Sequence, residues 1–155
     1  MKDIFIDNNV ASRFSNPLDP EYLKLIRWLK KYDPANIRNC AILVVSIKLL
    51  EEYYSSAMYA KSNTSIPIII DQLTREGRLR KFTNLTIKDF IRTKYTKKIS
   101  KNLRCNRKDR NHIPIVLLSQ RQFAISIDDN FIYDLINFPG YHVTAVKRPE
   151  LINYE

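Results

Sequence analysis

The sequence predicts an α/β fold with a central, mostly parallel sheet that helices cover on both faces. Apolar segments of strand length alternate along the chain with segments whose apolar residues recur at helical spacing. The clearest strand, residues 41–45, is a short continuous run of apolar and mostly branched residues, which is typical of a strand buried on both faces. We expect about four strands, at residues 2–6, 41–45, 123–127 and 141–146.

Helices separate these strands, and local residues predict several of their ends. Asp19 followed by Pro20 is typical of a helix start, and Asp33 followed by Pro34 ends that helix. Gly77 is expected to close another helix in a left-handed conformation. The expected helices are residues 20–32, 47–60 after a Ser46 cap, 66–76, 86–97 with Thr86 as cap, one that begins at 109, and 130–137, with a short helical or irregular piece at 9–15 and a basic connection at 98–108.

The composition is that of an ordinary globular protein. At 155 residues the chain is expected to form one domain, residues 1–155, around a single core. Aspartates at positions 3 and 7 argue against a signal peptide, and no apolar run reaches membrane-spanning length. The cysteines, Cys40 and Cys105, form no spacing typical of a zinc site or a disulfide framework. We therefore expect a reduced, cytoplasmic protein with no membrane partner.

The positive charge is concentrated in residues 72–110, which we call the basic segment. The formal net charge is +10, and the basic segment alone carries fourteen Lys/Arg residues against three acidic ones. The remaining residues carry twelve basic and thirteen acidic side chains and are nearly neutral. An imbalance this local favours a polyanionic partner, nucleic acid before membrane, over a surface made soluble by lysine. Phe82, Phe90 and Tyr95 interleave with the basic segment, where they could stack on bases.

Acidic residues stand at the ends of the predicted strands, at the edge where open parallel sheets place their ligands. Asp7, for example, directly follows the strand at residues 2–6. Each acid taken alone could merely cap a helix or face solvent, but carboxylates that converge repel one another unless a cation compensates them. All-oxygen ligation suits Mg²⁺ or Mn²⁺, which can activate water at a phosphodiester. The candidates are Asp7, one of Glu51 and Glu52, Asp109, and Asp128 or Asp129.

Four motifs, in the same order along the chain, resemble those of the PIN-domain nucleases. IFIDNNV at residues 4–10 resembles the opening strand of that family followed by D-x-N, and SIKLLEEY at 46–53 resembles its serine, apolar helix and Glu-aromatic pair. DRNHI at 109–113 is similar to its Asp-x-x-His helix start, and SIDDNF at 126–131 is similar to the segment that closes the site. The resemblance covers the chain from residue 4 to residue 146.

The resemblance implies a three-layer α/β/α sandwich and a divalent-metal-dependent nuclease that usually acts on RNA. Many members are toxins of toxin–antitoxin pairs and many dimerise, so RNA, a cognate antitoxin and a second copy of the chain are the implied partners. Carried over residue by residue, the catalytic set is Asp7, Glu52, Asp109 and Asp128, the metal set adds Asn130, and Asn9 and Ser126 are supporting groups. The expected RNA contacts in the basic segment are Arg92, Lys94, Lys97, Lys98, Lys101, Arg104, Arg107 and Lys108.

Three features depart from the family pattern. Asn130 stands where a fourth aspartate often appears, so we expect weaker metal binding or no second metal. Pro114 lies inside the helix after Asp109, which is tolerable only if that helix begins near Asn111. The basic stretch before Asp109 is also longer than expected of a compact toxin.

The choice between the two glutamates stays open on the residues alone. The helical wheel leans mildly to Glu51, which borders Ile47, whereas the resemblance selects Glu52, the residue that we expect to serve. His112 is expected to be a structural hydrogen-bond partner rather than a metal ligand. Cys105 lies among basic residues, which predicts a lowered thiol pKa, but no base is placed to use it in nucleophilic catalysis.

Two other function classes compete with a metal-dependent endoribonuclease. A catalytically weak or inactive nucleic-acid-binding module of PIN fold is left open by Asn130. A phospho-acceptor signalling domain also places acids after the first strand, but it has no need of the basic segment. The only glycines are Gly77 and Gly140, so a glycine-rich phosphate loop is excluded, together with the usual P-loop and dinucleotide sites.

Overall fold

The computed structural model describes residues 2–57 and 62–155, which form a parallel sheet flanked by helices. The strands of this part of the chain are β1 (Lys2–Ile6), β2 (Ala41–Ser46), β3 (Leu79–Phe82), β4 (Phe123–Ile125) and β5 (Thr144–Val146), in the order β3-β2-β1-β4-β5. Every pairing is parallel. The predicted α/β fold class is therefore confirmed, and the sheet is parallel throughout.

The helices form two groups, one for each face of the sheet. They are α1 (Asn8–Ala11), α2 (Pro20–Lys30), α3 (Ile47–Ser56), α4 (Ile66–Arg75), α5 (Asn84–Lys94), α6 (Lys97–Asn102), α7 (Ile113–Leu118) and α8 (Asp129–Ile136). Helices α2 and α3 both contact α4, whereas α5 and α8 both contact α7. Right-handed crossovers require this division, because the chain steps from β1 to β2 to β3 in one direction and then returns to the other side of β1.

Capping residues set several helix ends where the sequence predicts them. The Asp19 side chain accepts a hydrogen bond of 2.9 Å from the backbone N–H of Glu21, and Ser46 Oγ accepts one of 3.2 Å from that of Leu49. Gly77 follows α4 with a φ of +67°, the left-handed conformation that glycine adopts without steric cost. Helix α2 ends two residues earlier than predicted. Helix α3 ends at Ser56 with Ala57 as its C-cap, also earlier than predicted, and the rest of the predicted extension, residues 58–60, lies outside the described ranges.

Strand β3 is a fifth strand that the sequence pattern does not predict. Its residues LRKF show neither a continuous apolar run nor a clean alternation, because β3 is an edge strand. Arg80 in β3 donates to Asp3 in β1 at 3.0 Å, and fully buried Asp3 also accepts from the backbone N–H groups of Gln120 and Arg121 at 2.8 and 2.9 Å. Asp3 thus joins β3 and the turn before β4 to the central strand.

The helices of the basic segment differ from the prediction. Helix α5 begins at Asn84 because Thr83, not Thr86, is its cap: Thr83 Oγ1 accepts from the backbone N–H of Thr86 at 3.1 Å. Thr96 then caps a separate helix, α6, by accepting from the N–H of Ile99 at 3.2 Å. Part of the expected basic connection at 98–108 is therefore helical.

The last elements are shorter than predicted but lie in the predicted order. Strand β4 ends at Ile125 and β5 begins only at Thr144. Residues 109–111 form a 3-10 turn and α7 begins at Ile113, so Pro114 sits in a first helical turn, where its missing N–H is not needed. The condition that the sequence sets for Pro114 is met. No helix of the described residues is long and apolar enough to cross a membrane.

Candidate active site

Asp7 lies at the centre of the sheet edge formed by the carboxyl ends of β1 and β4. Its backbone N–H donates to the carbonyl of Ile125 at 2.9 Å, which fixes it beside the end of β4. Its Oδ2 atom accepts from Ser126 Oγ at 2.5 Å and from Asn9 Nδ2 at 3.0 Å. Asn9 also donates to Ser126 Oγ at 3.3 Å. The structure therefore brings Asp7 and both predicted supporting residues together, and each of the three is hydrogen-bonded to the other two. We call these three residues the Asp7 set.

Asp128 and Asp129 are adjacent in sequence but differ in surroundings. Asp128 caps α8, with Oδ1 accepting from the backbone N–H groups of Asn130 and Phe131 at 2.8 and 3.1 Å. Its own N–H donates to Ser126 Oγ at 3.1 Å, which ties it to the Asp7 set. Asp129 is exposed and pairs with Lys147 at 2.7 Å. Asn130 is also exposed, and its side chain forms no hydrogen bond within the described residues.

Glu52 is the glutamate that contacts a buried group of the site. Its Oε1 lies 2.9 Å from Nε2 of His112, whose ring is fully buried 6.1 Å from that of Phe5. His112 Nδ1 has no hydrogen-bond partner in the described residues, so the proton of a neutral ring belongs on Nε2, where it donates to Glu52. His112 is thus the hydrogen-bond partner that its position predicts. Glu51 is exposed, and the mild preference of the helical wheel for it does not match these contacts.

The four predicted carboxylates influence one another electrostatically. Burial raises the pKa of Asp109, the charges of Asp7, Asp128 and Glu52 raise it further, and His112 lowers it. Burial likewise raises the pKa of Asp7, against the lowering effects of the Ser126 hydrogen bond and His112. Over residues 2–57 and 62–155, however, no three His, Cys, Asp or Glu side chains lie close enough together to hold a metal ion. The acids converge on one edge without forming a ready-made coordination shell.

A cavity of about 810 Å³ opens between α3 and the chain before α7. Glu52 and Asp109 lie in its wall, whereas Asp7 and Asp128 are not among its lining residues. Lys48, Arg107 and Lys108 add positive charge to the same wall. Lys48 was not among the predicted site residues. Its position could have been predicted from the sequence, because residues four apart on a helix share a face, which places Lys48 beside Glu52.

The surface of the basic segment carries less charge than the sequence count indicates. Arg78 is fully buried and donates to the carbonyls of Leu29 and Ala41 at 2.7 and 2.9 Å. Arg80 pairs with Asp3, and Arg110 donates to the carbonyl of Leu103 at 3.2 Å. These three cations hold the fold together. All eight predicted RNA contacts are exposed, and Arg92 additionally pairs with Asp89 at 3.2 Å.

The aromatic residues predicted to stack on bases are used elsewhere. Phe82 is partly buried against the core, Phe90 is buried, and the rings of Phe90 and Tyr95 lie 6.2 and 5.8 Å from that of Phe138. Tyr133, which the sequence reasoning missed, is the exposed aromatic beside the basic segment, with the Arg104 guanidinium 3.5 Å from its ring centroid. Its position on α8, one to two turns after Asp128, is the signal that places it near the site.

The prediction of an acidic Cys105 thiol is wrong. Cys105 is buried, and burial raises the pKa of its thiol; the hydrogen bond and the charge of Asp134 raise it further. Of the basic residues, only Arg110 lowers the pKa of the thiol, and its effect is smaller than those of burial and Asp134.

No family model matches this chain, and no curated protein matches it. Among solved structures, the chain is similar to one chain in the crystal structure of VapBC2 from Rickettsia felis. That structure contains VapBC2 bound to a DNA fragment from its promoter. The identity is 13% and the TM-score 0.55, over 94% of this chain and 99% of that one. At this identity the likeness shows a shared fold alone.

Proposed function

We propose that this protein is a divalent-metal-dependent endoribonuclease of the PIN type, which hydrolyses RNA phosphodiester bonds at the acidic edge of the sheet. The observation that carries the proposal is the geometry at the ends of β1 and β4, where Ser126 Oγ donates to Asp7 and accepts from the backbone N–H of Asp128. The charges of Asp7, Asp128 and Glu52 also add to the effect of burial in raising the pKa of Asp109. The shared fold with a VapBC2 chain and the four PIN-like motifs support the same assignment.

The donor chemistry of this edge fits Mg²⁺ or Mn²⁺. Four of the five candidate ligands, all except Asn130, are carboxylates, and among the described residues Glu52 Oε2 and Asp128 Oδ2 accept no hydrogen bond. When bound, such an ion supplies a Lewis acid that lowers the pKa of water and stabilises charge on the phosphate. Asn130 brings no charge to this set, in keeping with weaker binding or a single ion.

The residues around the acids hold them in place for this chemistry. Ser126 and Asn9 fix one oxygen of Asp7, and His112 orients Glu52. The cap of α8 fixes Asp128. Lys48, Arg107 and Lys108 supply the positive charge that draws a phosphate backbone towards Glu52 and Asp109. RNA is therefore the proposed substrate, and the likeness to VapBC2 together with the motif resemblance supports an antitoxin-like protein and a second copy of the chain as further partners.

A catalytically weak or inactive RNA-binding module is the second candidate. It is favoured by the absence, in the described residues, of a ready-made metal shell and by Asn130. Incubation with total RNA, with and without Mn²⁺, followed by mapping of new RNA ends, decides between the two. New ends that depend on Mn²⁺ support the nuclease; RNA that is bound equally in chelator and stays intact supports the binding module.

The matched pair Glu52→Gln and Glu51→Gln tests which glutamate serves the site. Glu52→Gln keeps an oxygen that accepts from His112 but loses the charge, so we expect cleavage to fall by about 100-fold or more. Glu51→Gln changes an exposed side chain, and the rate should stay near that of the wild type. Single-turnover rates at saturating Mn²⁺ measure both. A larger loss in Glu51→Gln would reverse the assignment.

The exposed cations of the basic segment are expected to bind RNA rather than to take part in the chemistry. Replacement of Lys97, Lys98, Lys101 and Arg104 by Ala should reduce the slope of log affinity against log salt by about 3, at roughly 0.7 for each phosphate contact with a single strand. The cleavage rate at saturating RNA should change little, because these groups bind ground state and transition state alike.

A matched control removes the same charge from the opposite side of the sheet. Lys24, Arg27, Lys31 and Arg38 are exposed on and after α2, and their replacement by Ala should leave the salt slope almost unchanged. Equal slopes for the two quadruple variants would mean that the basic segment acts only through net charge. A large fall in the saturated rate for the first variant would place its residues in the active site.

A further inference from the structure

A second cavity, of about 750 Å³, lies between α6 and α8. We call it the α6–α8 cavity. Ile99, Leu103 and Phe138 give it apolar wall, and Lys98, Lys101 and Arg104 give it positive charge. Its only acidic lining residue within the described chain is Asp134. The cavity thus combines apolar surface with cations, the two features that a nucleotide requires of a binding site.

Asp134 makes Arg104 a fixed part of this cavity. Asp134 is buried, and its two oxygens accept from the backbone N–H of Arg104 at 3.0 and 2.9 Å and from that of Cys105 at 2.8 Å. Three backbone N–H contacts thereby stabilise its charge and hold the chain at residues 104–105. A loop whose backbone N–H groups are held by a buried carboxylate is ordered, unlike a solvated connection.

Arg104 lies over an aromatic ring. Its guanidinium carbon is 3.5 Å from the ring centroid of Tyr133, and both side chains are exposed. A guanidinium stacked on one face has its other face free for a second planar group, and its N–H edges are free for phosphate oxygens. Because the ring and the held backbone already order the side chain, little conformational entropy is lost when a base stacks on it.

Helix α8, one wall of the α6–α8 cavity, starts at the acidic edge, and the segment that follows α6 leads to Asp109. Helix α8 is capped by Asp128, and Tyr133 lies five residues further on, about 7.5 Å along the helix axis at 1.5 Å per residue. Arg104 lies five residues before Asp109. A strand of RNA whose phosphate sits at the acids can therefore reach the cavity with a nucleotide beside the reacting bond.

We propose that the α6–α8 cavity is a base-binding subsite, in which Arg104 stacked on Tyr133 receives the base of an unpaired RNA nucleotide flanking the bond that is cut. This subsite rests on the proposed function and narrows its substrate to RNA that is single-stranded beside the cleavage position, because a paired base cannot expose its face. A stretch of acidic peptide would use the cations, but its carboxylates pair with the N–H edge of a guanidinium and would leave the exposed face of Arg104 without a stacking partner. The observations therefore favour RNA over a protein partner in this cavity.

The test is a base-removal scan of binding. A single-stranded oligoribonucleotide is prepared with an abasic nucleotide at each position in turn, and its affinity for the full-length protein is measured in chelator, where cleavage is suppressed. We expect one position, or two adjacent ones, at which base removal weakens binding roughly 5- to 150-fold, the effect of one lost stacking contact. In Arg104→Lys, which keeps the charge but not the planar group, this sensitivity should disappear while the dependence on salt is preserved.

Three matched variants complete the design. Tyr133→Ala should also remove the sensitive position, whereas Tyr133→Phe should retain it. Arg27→Lys makes the same exchange at an exposed arginine of α2, on the opposite side of the sheet, and should leave the scan as in the wild type. Melting curves confirm that each variant is folded.

Each outcome is decisive. A wild-type scan with no sensitive position, or one that Arg104→Lys leaves unchanged, overturns the subsite. Loss of acidic-peptide binding in Arg104→Lys and Tyr133→Ala, with an unchanged RNA scan, would assign the cavity to a protein partner and also overturns it. Cleavage of the unmodified oligonucleotide with Mn²⁺ reports on the nuclease separately: cleavage without a sensitive position rejects the subsite alone, and a sensitive position without cleavage rejects the nuclease alone.

Discussion

Asp128→Asn is expected to reduce RNA cleavage by at least about 100-fold, whereas Asp129→Asn should leave the rate close to that of the wild type. The two residues are adjacent, but Asp128 is tied to the Asp7 set through Ser126, and Asp129 faces solvent opposite Lys147. Asparagine caps helices as well as aspartate does, so Asp128→Asn should keep α8 intact and isolate the effect of the charge. Removal of the exposed ion pair of Asp129 should matter little.

Single-turnover cleavage at saturating RNA and Mn²⁺ measures this contrast, and melting temperatures of the two variants serve as the control for folding. Comparable losses of rate in both variants would refute the assignment of Asp128. Loss of rate together with a large fall in melting temperature of Asp128→Asn would indicate that its role is to cap α8 alone.

Saturating Mn²⁺ is expected to raise the melting temperature by roughly 5 to 10 °C. A ligand at one hundred times its dissociation constant stabilises the native state by about 2.7 kcal/mol, and about 1 kcal/mol shifts the melting temperature of a chain of this size by roughly 2 to 4 °C. The physical cause is relief of the repulsion that Asp7, Glu52 and Asp128 impose on Asp109. Thermal melts with and without Mn²⁺ measure it; a melting temperature that does not respond would count against a shared metal site.

Asp7→Asn should abolish that response and raise the melting temperature of the metal-free protein at neutral pH. Burial raises the pKa of Asp7 above its ordinary value of 3.8, so the fold binds its proton more tightly than the unfolded chain does. Unfolding free energy is therefore lost as the pH rises from about 3.8 through the raised pKa, and the cost of the ionised carboxylate is complete above it. The advantage of Asp7→Asn should grow across this window and vanish below it. Asp129→Asn, at an exposed carboxylate, provides the control.

The fold was predictable where side chains report directly on burial or capping. The apolar runs of β1 and β2 and the caps at Asp19 and Ser46 are such cases. Strand β3 was not predictable, because its ends are set by pairing with β2 and by the reach of Arg80 to Asp3, neither of which appears in its own four residues. Helix α6 was missed for a related reason: it is short, and most of its residues are polar.

The candidate site was predictable to the extent that parallel strands bring their carboxyl ends to one edge. That rule places Asp7 beside the end of β4 and Asp128 near it. The motif resemblance adds Glu52, which contacts His112. Contacts between distant segments were not predictable. The stacking of Arg104 on Tyr133 and the capture of residues 104–105 by Asp134 join parts of the chain that share no local pattern.

The position of β1 between β2 and β4 bears on when this protein can become active during its synthesis. Phe5 and Ile6 pair with Ala124 and Ile125, so the open side of β1 is covered only after a strand 119 residues further along the chain has been made. At about 5 to 20 residues per second, that interval is roughly 6 to 24 s. Until then Asp7 lacks Ser126 and Asp128, and a nascent chain carries only part of the acidic edge. Under the proposed function, this order of assembly would delay RNA cleavage until the chain has been translated as far as Asp128.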